Sequence, residues 1–426
     1  MPASLLDCQI VEAARHFRLS RPPVWVWGSS RGASLVRMAD LLPSISERVQ
    51  ENIMMENVRR SHPRHTPPLL LEVSQDLPSP REVQTSYLKL RELCCPDSAR
   101  TFWLQDGHYL SSLESSRWLH NVSACLTKAI DAAAALCDGQ SVVLQEPDGR
   151  DLSCIISTLT QLLVDNHCRS IAGFQGLLQK EWVALGHPCC SRLGHVPNPD
   201  LPQSPLLLLL LDCVWQLTRQ IPTAFEFSET YLTTLWDCVH IPVFDTFLFD
   251  CERDRYRAST PSLCSNNSQH EPVMQLRSLW DWSVQFSARD IALFYNPLFS
   301  GKPSTLASDV RPEIRNLDVW SQCYFRWIPL LDLAGGGRSQ VDLGVRALCK
   351  TIADLRQRIG AVKTGGGTSS SAVAPMTAAL SSRFSSFYPF GSKYMNGSSI
   401  GGPSDTILGE PTNESPDNRL YLHSPD

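Results

Sequence analysis

Residues 141–164, SVVLQEPDGRDLSCIISTLTQLLV, constrain the fold of this chain more than any other stretch. Ser141 to Leu144 reads as a buried strand, Gln145 to Arg150 as a tight polar loop, and the apolar run after Asp151 as a helix. Strand, loop and helix in that order aim several backbone N–H groups and the positive end of a helix dipole at one point, which suits a phosphate. The spacing therefore predicts an anion cradle. Asp151, a residue type favoured at helix N-termini, is expected to cap the first free amides with its side chain.

A phosphatase working through such a cradle needs a thiolate at the start of the loop to attack phosphorus. It also needs a guanidinium at the end of the loop to grip the equatorial oxygens. The loop carries neither. It carries three carboxylates, Glu146, Asp148 and Asp151, and within its own sequence one cation, Arg150. Two like charges ~4 Å apart at an effective dielectric near 20 repel by about 4 kcal/mol. The loop is accordingly expected to repel phosphate. Glu-Pro-Asp-Gly-Arg-Asp also lacks the ligand ladder of a calcium loop.

Laid on the chain without gaps, residues 144–153 (LQEPDGRDLS) resemble the Val-His-Cys-Ser-Asp-Gly-Trp-Asp-Arg-Thr signature of the myotubularin phosphoinositide phosphatases. Further segments are similar to that family's motifs: residues 169–174 (RSIAGF), 180–182 (KEW), 186–187 (GH), 192–195 (RLGH), 212–216 (DCVWQ) and 218–227 (TRQIPTAFEF). Residues 279–282 (LWDW), 295–298 (YNPL) and 320–327 (WSQCYFRW) are most similar to its catalytically dead branch, members ten to twelve.

The resemblance implies an α/β fold, a cysteine-phosphatase-like domain with a central mixed sheet flanked by helices. It places Glu146 at the nucleophile position, Leu152 at the phosphate-gripping arginine position and Asp151 at the general-acid position. Without a nucleophile that acid has no partner to serve. The implied function is that of an inactive phosphoinositide 3-phosphatase homologue, a scaffold or regulator of active members. Two rivals stand beside it: a phosphoinositide-binding module without catalysis, and a weak phosphatase with a non-cysteine nucleophile, Glu146 or a distant cysteine. His187, His195, Asp212, Trp215, Arg219 and Glu226 also fall on family positions. The histidines are expected to be hydrogen-bonded scaffold, and Asp212 to be buried against a paired arginine.

Composition is that of an ordinary globular protein, with 42% hydrophobic and 19% charged residues in 426. A net charge of −5 and a pI near 6.1 argue against general nucleic-acid affinity and give no bulk attraction to anionic lipid. The 15 cysteines include no C-x-x-C pair and follow no secretory signal, so reduced, mostly buried thiols, no metal site, no cofactor and a cytoplasmic protein are expected. Cys154 is expected to pack inside the helix. Leu206 to Leu211 is too short to span a membrane and reads as a buried core helix.

Residues 7–37 are similar to the first helix and strand-turn of the myotubularin domain. The PH-GRAM domain that family members usually carry ahead of that point is not in the sequence, so a short form or a fragment is expected. Residues 43–100, punctuated by proline, predict short strands and loops, with 69–73 the best strand. Trp118, Val122, Cys125, Leu126, Ala129, Ile130, Ala133 and Cys137 recur at helical spacing, and Gly139 marks the helix end. Residues 254–271 read as a polar loop. The aromatic cluster of Trp280, Trp282, Trp320 and Trp327 with Phe286, Phe294, Tyr295, Tyr324 and Phe325 is expected to pack onto the main domain.

Val341, Val345, Leu348, Ile352, Leu355 and Ile359 form a short heptad seam, under three heptads long. It predicts docking on the domain or on a partner helix, or homodimerisation; the family resemblance favours a heterodimer with an active member. Phosphoinositide membrane contact, peripheral on endosomes, is a further implication of the family. The expected layout is one phosphatase-like domain over 1–359, with 341–359 as its heptad helix, and a Gly-, Ser- and Pro-rich disordered tail over 360–426.

Overall fold

Short apolar runs of β-branched and aliphatic residues build the sheet. The computed structural model describes residues 5–45, 48–96, 98–196, 200–259, 277–302, 304–325, 351–352 and 354–360. Among these, strands β1 (Val24–Gly28), β2 (Ser34–Ala39), β3 (Leu69–Glu72) and β4 (Val142–Glu146) form one sheet in the order β1-β2-β4-β3. β1 and β2 are an antiparallel pair; β4 lies parallel to both β2 and β3, and the register sets Ala39 beside Glu146. The sheet is therefore mixed, and β4, parallel to both its neighbours, is the strand that feeds the loop.

Helices α1 (Asp7–Ala14), α2 (Val49–Ser61), α3 (Pro80–Cys94), α4 (Ala99–Asp106), α5 (Tyr109–Ser116) and α6 (Trp118–Cys137) precede β4. After it come α7 (Leu152–Val164), α8 (Ile171–Leu178), α9 (Cys189–Leu193), α10 (Leu206–Gln220) and α11 (Glu229–Cys238). Strand alternation sorts the two faces of the sheet. Val36, Met38 and Val143 meet Ala13, Phe17, Met54 and Val58, so α1 and α2 cover one face. Leu35, Val142 and Leu144 point the other way, into the larger core with α6, α7 and α10.

That larger core explains the most apolar stretch. Leu206 to Leu211 are all at most 3% exposed inside α10, and fully burying each leucine contributes roughly 1.5–3 kcal/mol. Among the described residues no helix is long and apolar enough to cross a membrane. The amphipathic helix before the loop is α6, ended by Gly139 at φ +82.

Two local expectations fail. Residues 43–100 hold two long helices, α2 and α3, beside the one strand; Pro80 sits at the first turn of α3, where its missing N–H costs nothing, behind a Ser79/Glu82 capping box. The polar stretch after Asp250 opens with an exposed helix, Glu252–Ser259, before leaving the described residues. The aromatic cluster packs as expected through Trp282, Phe294, Trp320 and Tyr324, while Tyr295 is exposed and Trp327 lies outside the described residues. Of the heptad seam, Val341, Val345 and Leu348 also lie outside them; Ile352, Leu355 and Ile359 are helical and exposed. The tail from 361 onward lies outside as well.

Candidate functional site

Glu146 is the last residue of β4, and the pleat turns its side chain to the α7 side of the sheet. There the carboxylate meets the free amides of the helix start. One oxygen accepts from Leu152 N at 2.8 Å; the other accepts from Asp151 N at 3.1 Å, Ser153 N at 3.1 Å and Ser153 Oγ at 2.7 Å. The cradle predicted from sequence exists, and a side chain of the chain itself fills it. All four contacts are donors, so the ionised carboxylate is the form that fits. Burial and the neighbouring Asp151 push this carboxyl above the usual range, while the Ser153 hydroxyl and the amides of Leu152 and Ser153 oppose the rise.

Asp151 occupies the cap position but makes no side-chain cap hydrogen bond, contrary to expectation. Glu146, reaching over from the strand end, satisfies those amides first. Both oxygens of Asp151 instead receive the Arg192 guanidinium, Nε at 3.0 Å and Nη2 at 2.6 Å, with His187 Nδ1 at 3.5 Å. Burial alone would raise the Asp151 carboxyl; the two-pronged bond from Arg192, with His187 and Arg150 nearby, outweighs it and holds the carboxyl below its ordinary value.

Asp148 takes a third direction and pairs with Arg18 at 2.9 Å near the surface. The three carboxylates thus have three separate sets of partners, and the like-charge repulsion that remains is between Glu146 and Asp151.

Nor is Arg150 the loop's one source of positive charge. Arg37, buried in β2, donates through Nη2 to Gly149 O at 3.2 Å and Ser153 Oγ at 3.2 Å, and through Nη1 to Glu181 Oε2 at 2.8 Å. Arg21 donates to Leu185 O at 2.7 Å, Gly186 O at 2.9 Å and, at 3.4 Å, Gly149 O. Glu181 is brought to Arg37 by a π-helical turn, Gln179–Ala184, and also accepts from Gln161 Nε2 at 2.8 Å. Among the described residues the buried Nε atoms of Arg37 and Arg150 meet no hydrogen-bond partner.

Gly149 lets the loop lie this close to the sheet. At φ +64, a Cβ there would stand 3.0 Å from the backbone nitrogen of Ala39. Leu152, aligned with the phosphate-gripping arginine, is 3% exposed and belongs to the main core.

The histidines are scaffold, as expected. His187 Nδ1 donates to Arg150 O at 2.9 Å, its ring edge meets Trp182, and burial pushes its pKa down to about 4. His195 bonds Val239 O at 3.1 Å, and burial lowers it too. Cys154 is buried in α7 with its thiol donating to Arg150 O at 3.0 Å, and burial pushes the thiol up to about 12, far from a thiolate at neutral pH.

Asp212 is buried, but its partners are Trp118 Nε1 at 2.7 Å, Tyr324 OH at 2.7 Å and Gln216 Nε2 at 3.0 Å. Among the described residues the expected arginine pairing is absent. Arg219 instead pairs with Asp318 at the surface and lies over the Trp215 ring at 5.1 Å. Glu226 accepts the Ile171 amide at 2.7 Å.

Of the residues that shape the loop, Glu181 and Arg192 fall in the KEW and RLGH segments without a role assigned from sequence, and Arg21 and Arg37 carry no sequence expectation of their own. Arg37 had a visible signal: a charged residue inside the apolar strand SLVRMA is rarely buried without a partner.

A central parallel strand, a glycine-bearing loop closed on a helix N-terminus and buried arginines behind it define a cysteine-phosphatase-like domain. The Myotubularin-like phosphatase domain family model matches residues 70–256. Myotubularin-related protein 10-B of Xenopus laevis is 41% identical over 305 residues, 71% of this chain and 39% of that protein. Myotubularin-related protein 10 of Homo sapiens is 40% identical over 305 residues, with 71% and 39% covered. Myotubularin-related protein 12 of Homo sapiens is 37% identical over 299 residues, with 68% and 39% covered. Over this region the chain belongs to the myotubularin-related family, and it spans about two fifths of the length of these relatives.

Proposed function

We propose that this domain does not hydrolyse phosphoesters and serves as a regulatory or scaffolding partner of an active phosphoinositide phosphatase of its own family. The observation that carries the reading is Glu146. It stands where the family resemblance calls for the nucleophilic cysteine, and both its oxygens are tied down by four donors. An attacking carboxylate oxygen needs a free lone pair aimed at phosphorus; Oε2 is engaged by three donors, and Oε1 is turned onto the Leu152 amide at the helix start. Leu152 supplies no guanidinium for the equatorial oxygens, and Cys154 is held as a thiol.

The partner is reached through the seam of Val341, Val345, Leu348, Ile352, Leu355 and Ile359, whose three described members expose apolar side chains. A heterodimer of this kind would act in the cytoplasm and peripherally on endosomal membranes. The test is phosphate release from phosphatidylinositol 3-phosphate by the purified chain, beside the double variant Glu146→Cys with Leu152→Arg. Wild type is expected at background. Release above background that disappears on Glu146→Gln would make the chain an enzyme.

A further inference from the structure

We infer that Ser259 is a phosphorylation site for an arginine-directed serine/threonine kinase, and that the phosphate takes Arg255 away from the turn it ties down. The inference goes beyond the proposed function and does not depend on what the loop after β4 does.

Sequence, exposure and the contacts of one arginine carry it together. The helix Glu252–Ser259 reads ERDRYRAS, with arginines two, four and six residues ahead of the serine. Drawn out into the extended form in which a kinase groove holds its substrate, residues 253, 255, 257 and 259 share one face. The guanidiniums of Arg253, Arg255 and Arg257 then line up beside the hydroxyl and suit an acid-lined groove. The helix buries none of its residues, and Ser259 at its end is exposed, its hydroxyl donating to Tyr256 O at 3.0 Å. A helix of 8 residues is marginal on its own, so unwinding its last turn costs little.

Arg255 holds this helix to the turn before it. Its Nη2 donates to Thr246 O at 3.0 Å, its Nη1 lies 3.6 Å from Asp245 and its Nε 3.6 Å from Glu252. Ser259 follows four residues later, so a phosphate there meets the Arg255 side chain on the same helix face. The phosphate brings about two negative charges and three acceptor oxygens; Asp245 offers one carboxylate. It also stands at the negative end of the helix dipole, where a further anion is unfavourable. Both effects free Glu252–Ser259 from the Asp245 turn. In the transfer, Ser259 Oγ attacks the γ-phosphorus of ATP. The Oγ–P bond forms, the bond from that phosphorus to its bridging oxygen breaks, ADP leaves, and the hydroxyl proton passes to the kinase's catalytic aspartate.

The test incubates the purified chain with ATP and a serine/threonine kinase catalytic domain that selects arginine two residues before its target. Peptide mass spectrometry then locates the phosphate. Phosphate is expected on Ser259, to be lost in Ser259→Ala and to form about tenfold more slowly in Arg257→Gln, since one charge-assisted contact carries roughly that factor. Arg257 and Ser259 are exposed, so both variants are read in a folded chain. Hydrogen exchange is the second readout: on phosphorylation the amides of residues 254–259 are expected to lose protection, and unmodified Arg255→Gln is expected to lose it in the same place. Phosphate confined to other residues, an undiminished rate in Arg257→Gln, or phosphate on Ser259 with those amides unchanged overturns the inference. So does an Arg255→Gln chain as protected there as wild type.

Discussion

Replacing Glu146 with glutamine keeps the shape of the side chain and removes its charge. The amide oxygen can take over the Asp151 N, Ser153 N and Ser153 Oγ bonds now made by one carboxylate oxygen. The new NH2 then faces Leu152 N, which donates at 2.8 Å in wild type, so a buried donor meets a donor. Leaving one buried donor unsatisfied costs about 1–3 kcal/mol, and turning three charge-assisted bonds into neutral ones costs about 1 kcal/mol each. Against this, the variant no longer buries a charge beside Asp151, which returns part of a penalty of several kcal/mol. The balance is a loss of about 3 kcal/mol. Urea unfolding at pH 7, followed by tryptophan fluorescence and circular dichroism, reads it as a lower midpoint with an unchanged slope. A glutamine variant as stable as wild type, or more stable, would show that the carboxylate is not what holds the helix start, and the reasoning would fail.

Three further outcomes follow from the same site. His187 has its pKa lowered by burial from 6.5 to about 4, so the unfolded chain binds its proton more readily. The stability it contributes is whole above pH 6.5 and falls by about 3 kcal/mol as pH drops to 4; His187→Gln should flatten that part of a stability–pH curve. Arg192→Met strips Asp151 of both hydrogen bonds from its buried guanidinium partner and should cost about 3–5 kcal/mol, measurable by urea unfolding; a loss under 1 kcal/mol contradicts the pairing. Cys154, buried with a thiol pushed up to about 12, should resist alkylation in the native protein at pH 8 and react only on unfolding, as mass spectrometry of the modified peptide would show.

The sequence made the strand, loop and helix legible because each has its own local signature: a short apolar run, Pro147 and Gly149, and then an apolar helical period. It made the core leucines of α10 and the spacing of α6 legible for the same reason. Where the loop's charges go was not legible. Adjacent carboxylates invite a like-charge argument, yet Glu146, Asp148 and Asp151 leave the loop in three directions, toward backbone amides, Arg18 and Arg192. Their partners lie as much as 130 residues away in sequence, as Arg18 does from Asp148 (148 − 18 = 130). Only the sheet order, which sets β2 beside β4, brings Arg37 under the loop. The proline-rich reading of 43–100 failed because α2 lies in a proline-free stretch, and at α3 the proline stands at the first turn, where it starts a helix that the same residue two turns later would break.

The most direct test of the account is an experimental structure of the wild-type chain grown in phosphate. The account predicts an anion-free loop, with the Glu146 carboxylate within hydrogen-bond distance of the Asp151, Leu152 and Ser153 amides. A phosphate ion seated on those amides with Glu146 swung aside would contradict it.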